Sequence, residues 1–545
     1  MAAFAHAFSL SPEEVRSATP PGTVILSGTQ VPQNWLCLTT GLLQTAGQAA
    51  AQIDELVYTP QPSSDPADPL NWPNWRKCAV LVCMSLYAAI ANFTSASIAS
   101  AFPIYTTPLA FNPPVSIEKL THLIAVNVLM LGAANIWWVP LANIFGRRPV
   151  ILGGILLLTL CSMWAGLAQS FGSLLAARVF MGIGGAPADT TPNVVGEVFF
   201  THERGRAMGF YTVCICLGPI IGGMSGGYIA GNKGLAWIHW VNVILSAILL
   251  VACLILVPET RYIRDQTQVS SQNDKSTDVE TNGVTEVVED MAVQPSGPHS
   301  KNHANPASMW KLNKYQGDAW STLLAPWKTF RLPGVWLVMF WYAGLVGGVV
   351  TVTTVAPTII SEPPYLWGNN AGLIMTGGII GALLGLIATS LTADRIIASK
   401  KTLRGEVFAE AEARLPVAIP GLLLATTGLW TFGFCAQNSG SPNMWVGMQF
   451  GIGMLCFGLM QAPSIGFNYL IDAYGPLSAD CFVAVTCMRA IVSFSWTFFA
   501  GEWVTISGPA IPFGVFGALM GVFSLLIVPI WFWGKRMRIA TTDWV

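Results

Sequence analysis

Val139-Pro-Leu-Ala-Asn-Ile-Phe-Gly146-Arg147-Arg148-Pro149 is a short basic turn set between two long apolar segments. A worn copy stands in the second half of the chain, Ser390-Leu-Thr-Ala-Asp394-Arg395. A basic turn that recurs between apolar spans, at the same place in each half, implies a duplicated bundle of membrane helices. Bundles of that kind carry solutes across bilayers.

Composition points the same way. The 545 residues are 53% hydrophobic and only 10% charged, and mean hydropathy is +0.54. Soluble domains run near 25% charged, so this chain cannot cover a water-facing surface in the usual manner. A net charge of −1 gives no sign of a nucleic-acid partner. The 11 cysteines are scattered and show no C-x-x-C, which excludes a disulfide framework or a zinc site from the reading. No G-x-x-x-x-G-K-[ST] loop occurs, which speaks against an ATP-driven pump.

Segments long enough to cross ~30 Å of hydrocarbon fall near 77–101, 118–142, 149–170, 172–199, 205–229 and 238–257. After a polar gap, six more follow near 334–361, 369–393, 415–436, 443–467, 480–502 and 509–533. Lys and Arg set the orientation. Arg76, Lys77, Arg147, Arg148, Arg204, Arg206, the 395–414 cluster and Lys535, Arg536 and Arg538 all fall on one side. Both termini and residues 259–333 are therefore expected in the cytoplasm, with 99–117 as the largest outer loop. The first ~75 residues are polar and do not read as a signal peptide. Within the central loop, 274–290 is acidic and without aromatics, a composition that cannot bury enough apolar area to order itself. Trp320, Leu323, Leu324, Trp327 and Arg331 then follow helical spacing, which predicts a helix on the membrane surface, with a plain packed linker as the alternative.

Gly146-Arg147-Arg148-Pro149 resembles the major facilitator superfamily signature, Gly-x-x-x-Asp-Arg-x-Gly-Arg-Arg between spans 2 and 3. Arg178-x-x-x-Gly182-x-Gly184 is similar to the second signature of that superfamily. Gly209 followed by Gly218-Pro219-Ile-Ile-Gly222-Gly223 resembles the signature of its proton-coupled antiporters. Asp68-Pro-Leu-Asn-Trp72, His202-Glu-Arg-Gly205 and Tyr469-Leu-Ile-Asp472-Ala-Tyr474 are similar to the fungal twelve-span drug:proton antiporter branch. The likeness covers about residues 65–538. Its departures are local: Val139, Asn143 and Ile144 replace the expected Gly, Asp and Arg of the first signature, and Cys214 replaces a glycine of the third.

In physical terms, Gly146 lets the connection turn tightly. Arg147 and Arg148 can clamp the cytoplasmic ends by pairing with Glu197 and Glu259, or can serve only as topological anchors. Arg204, Asp394 and Arg395 complete the candidate cytoplasmic gate. Gly218 and Pro219 would bend span 5, and Gly222 and Gly223 would admit a close neighbour. Charges inside the membrane are costly and mark function. Asp189 is the one acid well inside a span, and is read as a proton-coupling residue, a substrate contact, or a structural group bonded to Thr190, Thr191 or backbone near Pro187 and Pro192. Tyr87, Asn92, Ser95, Arg178, Trp341, Tyr342, Gln449, Gln461 and Arg489 are candidates for the cavity wall, with packing as the alternative for each.

The chain is thus predicted to be an all-α membrane protein with twelve transmembrane helices in two pseudo-symmetric six-helix bundles. The bundles are 77–258 and 334–534, and a disordered tail 1–76, a loop 259–333 and a tail 535–545 complete the chain. The expected function is proton-coupled export of small amphipathic organic molecules, such as drugs or secondary metabolites. Uptake of a cationic nutrient such as a polyamine, or a non-transporting sensor on the same fold, are the alternatives. Partners would be a small-molecule substrate, protons and the lipid bilayer, with no cofactor, no metal and no nucleic acid. A monomer in the plasma membrane is expected, with the vacuolar membrane as the second location.

Overall fold

A computed structural model describes residues 24–25, 68–107, 111, 114–261, 319–389, 408–409, 411–441 and 443–541. Among them, twelve helices are long and apolar enough to cross a membrane. In the first half these are span 1 (Asn74–Tyr105), span 2 (Ile117–Phe145), span 3 (Arg147–Leu167), span 4 (Phe171–Val198), span 5 (Glu203–Lys233) and span 6 (Ala236–Leu256). In the second they are span 7 (Pro333–Ser361), span 8 (Gly368–Thr389), span 9 (Arg414–Gln437), span 10 (Met444–Tyr474), span 11 (Ser478–Ser507) and span 12 (Ala510–Ala540). The only strands among the described residues are Val24–Ile25 and Phe408–Ala409, paired antiparallel. Asp394 and Arg395, most of the tail 1–76 and the acidic segment 274–290 lie outside the described residues.

Helices dominate because no water is available inside a bilayer to satisfy backbone groups, so each span must close its own hydrogen bonds. The outer spans show which face meets lipid. Span 6 exposes Ile244, Ile248, Val251 and Ile255, a stripe at helical spacing, and span 12 does the same with Ile511, Val515, Leu519 and Val522. Span 7 is the opposite case, its side chains buried along nearly the whole length.

The two halves meet along small residues. A Cβ on Gly132 of span 2 would collide with the Thr486 carbonyl and Ala490 of span 11, and one on Gly501 would stand 3.0 Å from Thr121. Gly372 of span 8 abuts the backbone of Gly223 and Met224 in span 5, and Gly231 abuts Asn369. Near the opposite end a Cβ on Gly209 would lie 3.6 Å from Leu386. The halves are therefore in contact at both ends. Between them, Ser95, Ala96, Ile124, Pro219, Val350, Thr353 and Thr354 line a narrow void with ≈ 0 Å³ of room for even a water-sized molecule. A drug-sized ligand needs a pocket of about 300–1,000 Å³. This is an occluded arrangement.

Three boundaries differ from those read in the sequence. Span 1 breaks at Ser97–Ala101 and resumes as Phe102–Tyr105, so the connection expected on the outer side begins at Thr106 rather than at 99. Span 4 is interrupted by a 3₁₀ stretch, Ala186–Thr190. Pro187 and Pro192 each lack an N–H, and one proline on either side of a turn prevents a regular α ladder. Span 12 runs on to Ala540, which places Arg538 on the helix instead of in a tail.

Candidate functional site

Asp189 occupies the 3₁₀ break of span 4 and is buried. Its Oδ2 accepts from Arg489 Nη2 of span 11 at 2.6 Å and from Asn135 Nδ2 of span 2 at 3.1 Å. The Arg489 guanidinium lies 5.5 Å from the centre of the Tyr342 ring in span 7. The first half thus supplies the acid and the second half the base, 300 residues apart in sequence. Thr190 and Thr191, the partners the structural reading of Asp189 would need, bond instead to the carbonyls of Pro187 (2.7 Å) and Ala188 (2.6 Å). Those hydroxyls are thus engaged by backbone of the same turn, and the carboxylate is left to the ion pair. Arg489 Nε and Asn135 Oδ1 are buried with no hydrogen-bond partner among the described residues.

The other intramembrane cation has a different assignment. Arg178 donates to the carbonyls of Thr94 (2.5 Å), Ser95 (2.6 Å) and Leu123 (3.4 Å), and its own carbonyl accepts from Asn127 Nδ2 at 2.7 Å. Thr94 and Ser95 end the first helical segment of span 1, Asn74–Ala96, where unsatisfied carbonyls collect and the helix dipole favours a positive charge. Arg178 therefore caps the break in span 1 rather than facing the central void. Tyr87 donates to the Gly184 carbonyl. Asn92 donates to Ala88 O (2.9 Å), and Ser95 donates to Asn92 O (2.8 Å) while lining the void. Gln449 bridges span 10 to Thr376 Oγ1 of span 8 at 3.0 Å, inside the second half. Trp341 Nε1 and Gln461 Oε1 are buried without a partner among the described residues. In span 5, Gly218 and Gly222 pack on the backbone of Ala89 and Phe93 in span 1, and Gly223 faces Thr353 across the halves. Pro219 lines the void within a continuous helix.

At the basic end, Gly146 turns the chain at φ +100°. Arg147 Nη2 meets Glu197 Oε1 at 2.5 Å. Glu259 receives the backbone N–H groups of Arg147 (2.9 Å) and Arg148 (3.1 Å), so its carboxylate caps the start of span 3. Arg148 Nη2 reaches the Leu254 carbonyl at 2.8 Å, and Arg204 Nη2 the Gly196 carbonyl at 2.9 Å. A Cβ on Gly146 would stand 2.6 Å from Glu259 Oε2. Gly146→Ala is expected to cost about 1–3 kcal/mol through the forced backbone conformation, read as a lowered melting temperature in detergent with Glu259→Gln as the comparison.

The second half has a related arrangement, which sequence reading missed, with the charges exchanged only where spans 9 and 12 meet. Glu412, just before span 9, faces the end of span 12, as the start of span 3 faces Glu259 after span 6. Arg538 at the end of span 12 grips it through two bonds, Nε to Oε1 at 2.7 Å and Nη2 to Oε2 at 2.6 Å. Arg414 pairs with Asp472 at 3.1 Å. The available signal was an acid and a base at the ends of spans 9 and 12, positions that read as topology alone.

Residues 84–479 match the model of the Major Facilitator Superfamily. The chain belongs to that superfamily. As a member it resembles Protein HOL1 of Saccharomyces cerevisiae, 24% identical over 96% of each chain. It is also similar to the efflux pump FUB11 of Gibberella moniliformis, 27% identical over 79% of this chain and 68% of that one. Among solved structures, the partially occluded inward-open xylose transporter XylE of E. coli superposes with a TM-score of 0.53 at 16% identity, covering 84% of this chain and 98% of that one. This superfamily member is an integral, multi-pass membrane transporter, and its twelve spans follow the superfamily fold.

Proposed function

We propose that this transporter exports small, neutral, amphipathic organic molecules across the plasma membrane in exchange for protons, as a monomer working by alternating access. The observation that carries the reading is the Asp189–Arg489 pair, a buried ion pair that joins the two halves near their middle. While ionised, the pair holds the halves together in a low-dielectric setting. Protonation of Asp189 removes that attraction and lets the halves separate. One proton entering down ~100 mV and two pH units releases about 5 kcal/mol, enough for a thousand-fold solute gradient. The name of the similar FUB11 protein, an efflux pump, supports the direction.

Uptake of a cationic solute fits less well. A cation would need a free intramembrane carboxylate, and Asp189 is occupied by Arg489 and Asn135. Displacing Arg489 would leave a buried charge uncompensated, which costs several kcal/mol. Arg147, Glu197, Glu259 and Arg204 act as the cytoplasmic clamp of the first half, with Glu412–Arg538 and Arg414–Asp472 as that of the second.

The test compares small molecules released by cells with and without the gene, with and without a protonophore. Faster release of at least one solute in expressing cells, abolished when the proton gradient collapses, is the expected result. Gradient-independent release, or accumulation inside expressing cells, would overturn the reading.

A further inference from the structure

Asn135 stands at a discontinuity. Span 2 is helical over Ile117–Ala133 and again over Asn135–Phe145, and Asn135 opens the second segment, almost fully buried. Its Nδ2, with two N–H bonds, lies within hydrogen-bond distance of three acceptors: Asp189 Oδ2 at 3.1 Å, and the carbonyls of Leu131 (3.1 Å) and Gly132 (3.3 Å) at the end of the first segment, one N–H being shared between the two carbonyls. Its Oδ1 has no partner among the described residues. A buried amide acceptor left unpaired costs about 1–3 kcal/mol, so the arrangement calls for a state in which that oxygen is used.

An amide differs from every other group near Asp189 in having a donor and an acceptor that exchange places on a half-turn about one bond. The carboxylate only accepts, and Nδ2 suits it. The neutral acid must donate its proton, and Nδ2 cannot receive it. A half-turn of the Asn135 amide would bring Oδ1 to the place Nδ2 now holds, 3.1 Å from Asp189 Oδ2. The same half-turn withdraws Nδ2 from Leu131 O and Gly132 O. Gly132 is also where span 2 touches the other half: its carbonyl accepts from Cys487 Sγ at 3.6 Å, and its Cα packs on Thr486 and Ala490 of span 11.

We propose that Asn135 reads the protonation state of Asp189 and transmits it, through the break in span 2, to the contact between spans 2 and 11. This rests on the reading of Asp189 as the proton carrier and assigns a positioning residue to the same site. The ionisable groups that face Asp189 from the elements around it are Arg489 and Cys487 of span 11, Tyr342 of span 7, Tyr211 of span 5 and Tyr87 of span 1. The three tyrosines are neutral and Arg489 is a donor only, so among side chains with a bond to Asp189 only Asn135 offers an acceptor.

The experiment is difference infrared spectroscopy on the full-length transporter in liposomes, taken through an acidification step and needing no substrate. A carboxylic-acid carbonyl band should rise on acidification and be absent in Asp189→Asn. In the wild type, side-chain amide bands that shift with ¹³C-labelled asparagine should change in the same step. In Asn135→Leu the acid band should move to higher wavenumber, and proton-driven transport should slow about tenfold, the worth of one buried hydrogen bond, with its coupling intact. Asn135→Thr, whose hydroxyl can both donate and accept, should recover most of the rate. If no acid band depends on Asp189, the proton-carrier reading fails and takes this inference with it. If that band is present while the labelled amide stays silent, Asn135 is no reader and the proton-carrier reading survives. The wild-type labelling arm decides the matter even if Asn135→Leu does not fold.

Discussion

Asp189→Asn in proteoliposomes will exchange substrate across the membrane at close to the wild-type rate and will accumulate none of it against a gradient. The amide keeps the size of the carboxyl group and its Oδ1 can still accept from Arg489, which in the wild type donates to Asp189 Oδ2 at 2.6 Å. The substrate path therefore survives, although the buried Arg489 charge loses its counter-charge and the variant is less stable than wild type. What the amide cannot do is carry a proton from one side to the other. With a pH difference of two units and ~100 mV imposed, the driving force of about 5 kcal/mol per proton is no longer available to the solute. Accumulation should fall from as much as a thousand-fold to unity. The measurement uses a solute identified by the release comparison, followed once with an imposed proton gradient and once as counterflow with none. Gradient-driven accumulation equal to wild type would remove Asp189 from the coupling mechanism, and loss of both activities would assign it to the substrate site or to folding.

The fold was readable because bilayer physics leaves few alternatives. Twelve apolar stretches of spanning length, with the arginines outside the spans confined to alternate connections, admit one topology in which the halves repeat. Asp189 was readable for a related reason: a lone carboxylate in an apolar helix is costly enough to need a partner or a task. Its partner was not readable. Arg489 lies in another span, and contact depends on how spans 4 and 11 are rotated about their own axes. In a soluble helix the polar face fixes that rotation, but a span apolar on nearly every side carries no such mark. Arg178 shows the same limit. It too is a buried cation, yet its bonds go to Thr94, Ser95 and Leu123 carbonyls, and the first two became available only because span 1 breaks at Ser97. Glu412 and Arg538 were hidden differently, since an acid and a base 126 residues apart in separate connections give no sign of meeting until the fold brings them within 2.6 Å.

Arg489→Met alone will destabilise the protein far more than removing both members of the pair. The Arg489 and Asp189 side chains are only 2% and 5% exposed. A single substitution would leave the Asp189 carboxylate in a low-dielectric interior with Asn135 as its one remaining donor. Breaking a buried pair from one side costs about 3–5 kcal/mol, because the desolvated charge loses its compensation. In Asp189→Leu/Arg489→Met neither charge remains to be desolvated, and the two side chains fill similar volume beside Tyr342. A buried ion pair replaced by apolar groups is often neutral or better, so the double variant should recover most of the loss. Thermal unfolding in one detergent, for the wild type, both single variants and the double variant, gives the four corners of a cycle. A coupling energy of several kcal/mol is the expected result, and additive losses would mean that the two residues act independently. Transport separates stability from function: the double variant, although stable, should exchange solute without coupling it to protons. Recovery of both stability and proton-driven accumulation in the double variant would show that the pair holds the halves together and does nothing more.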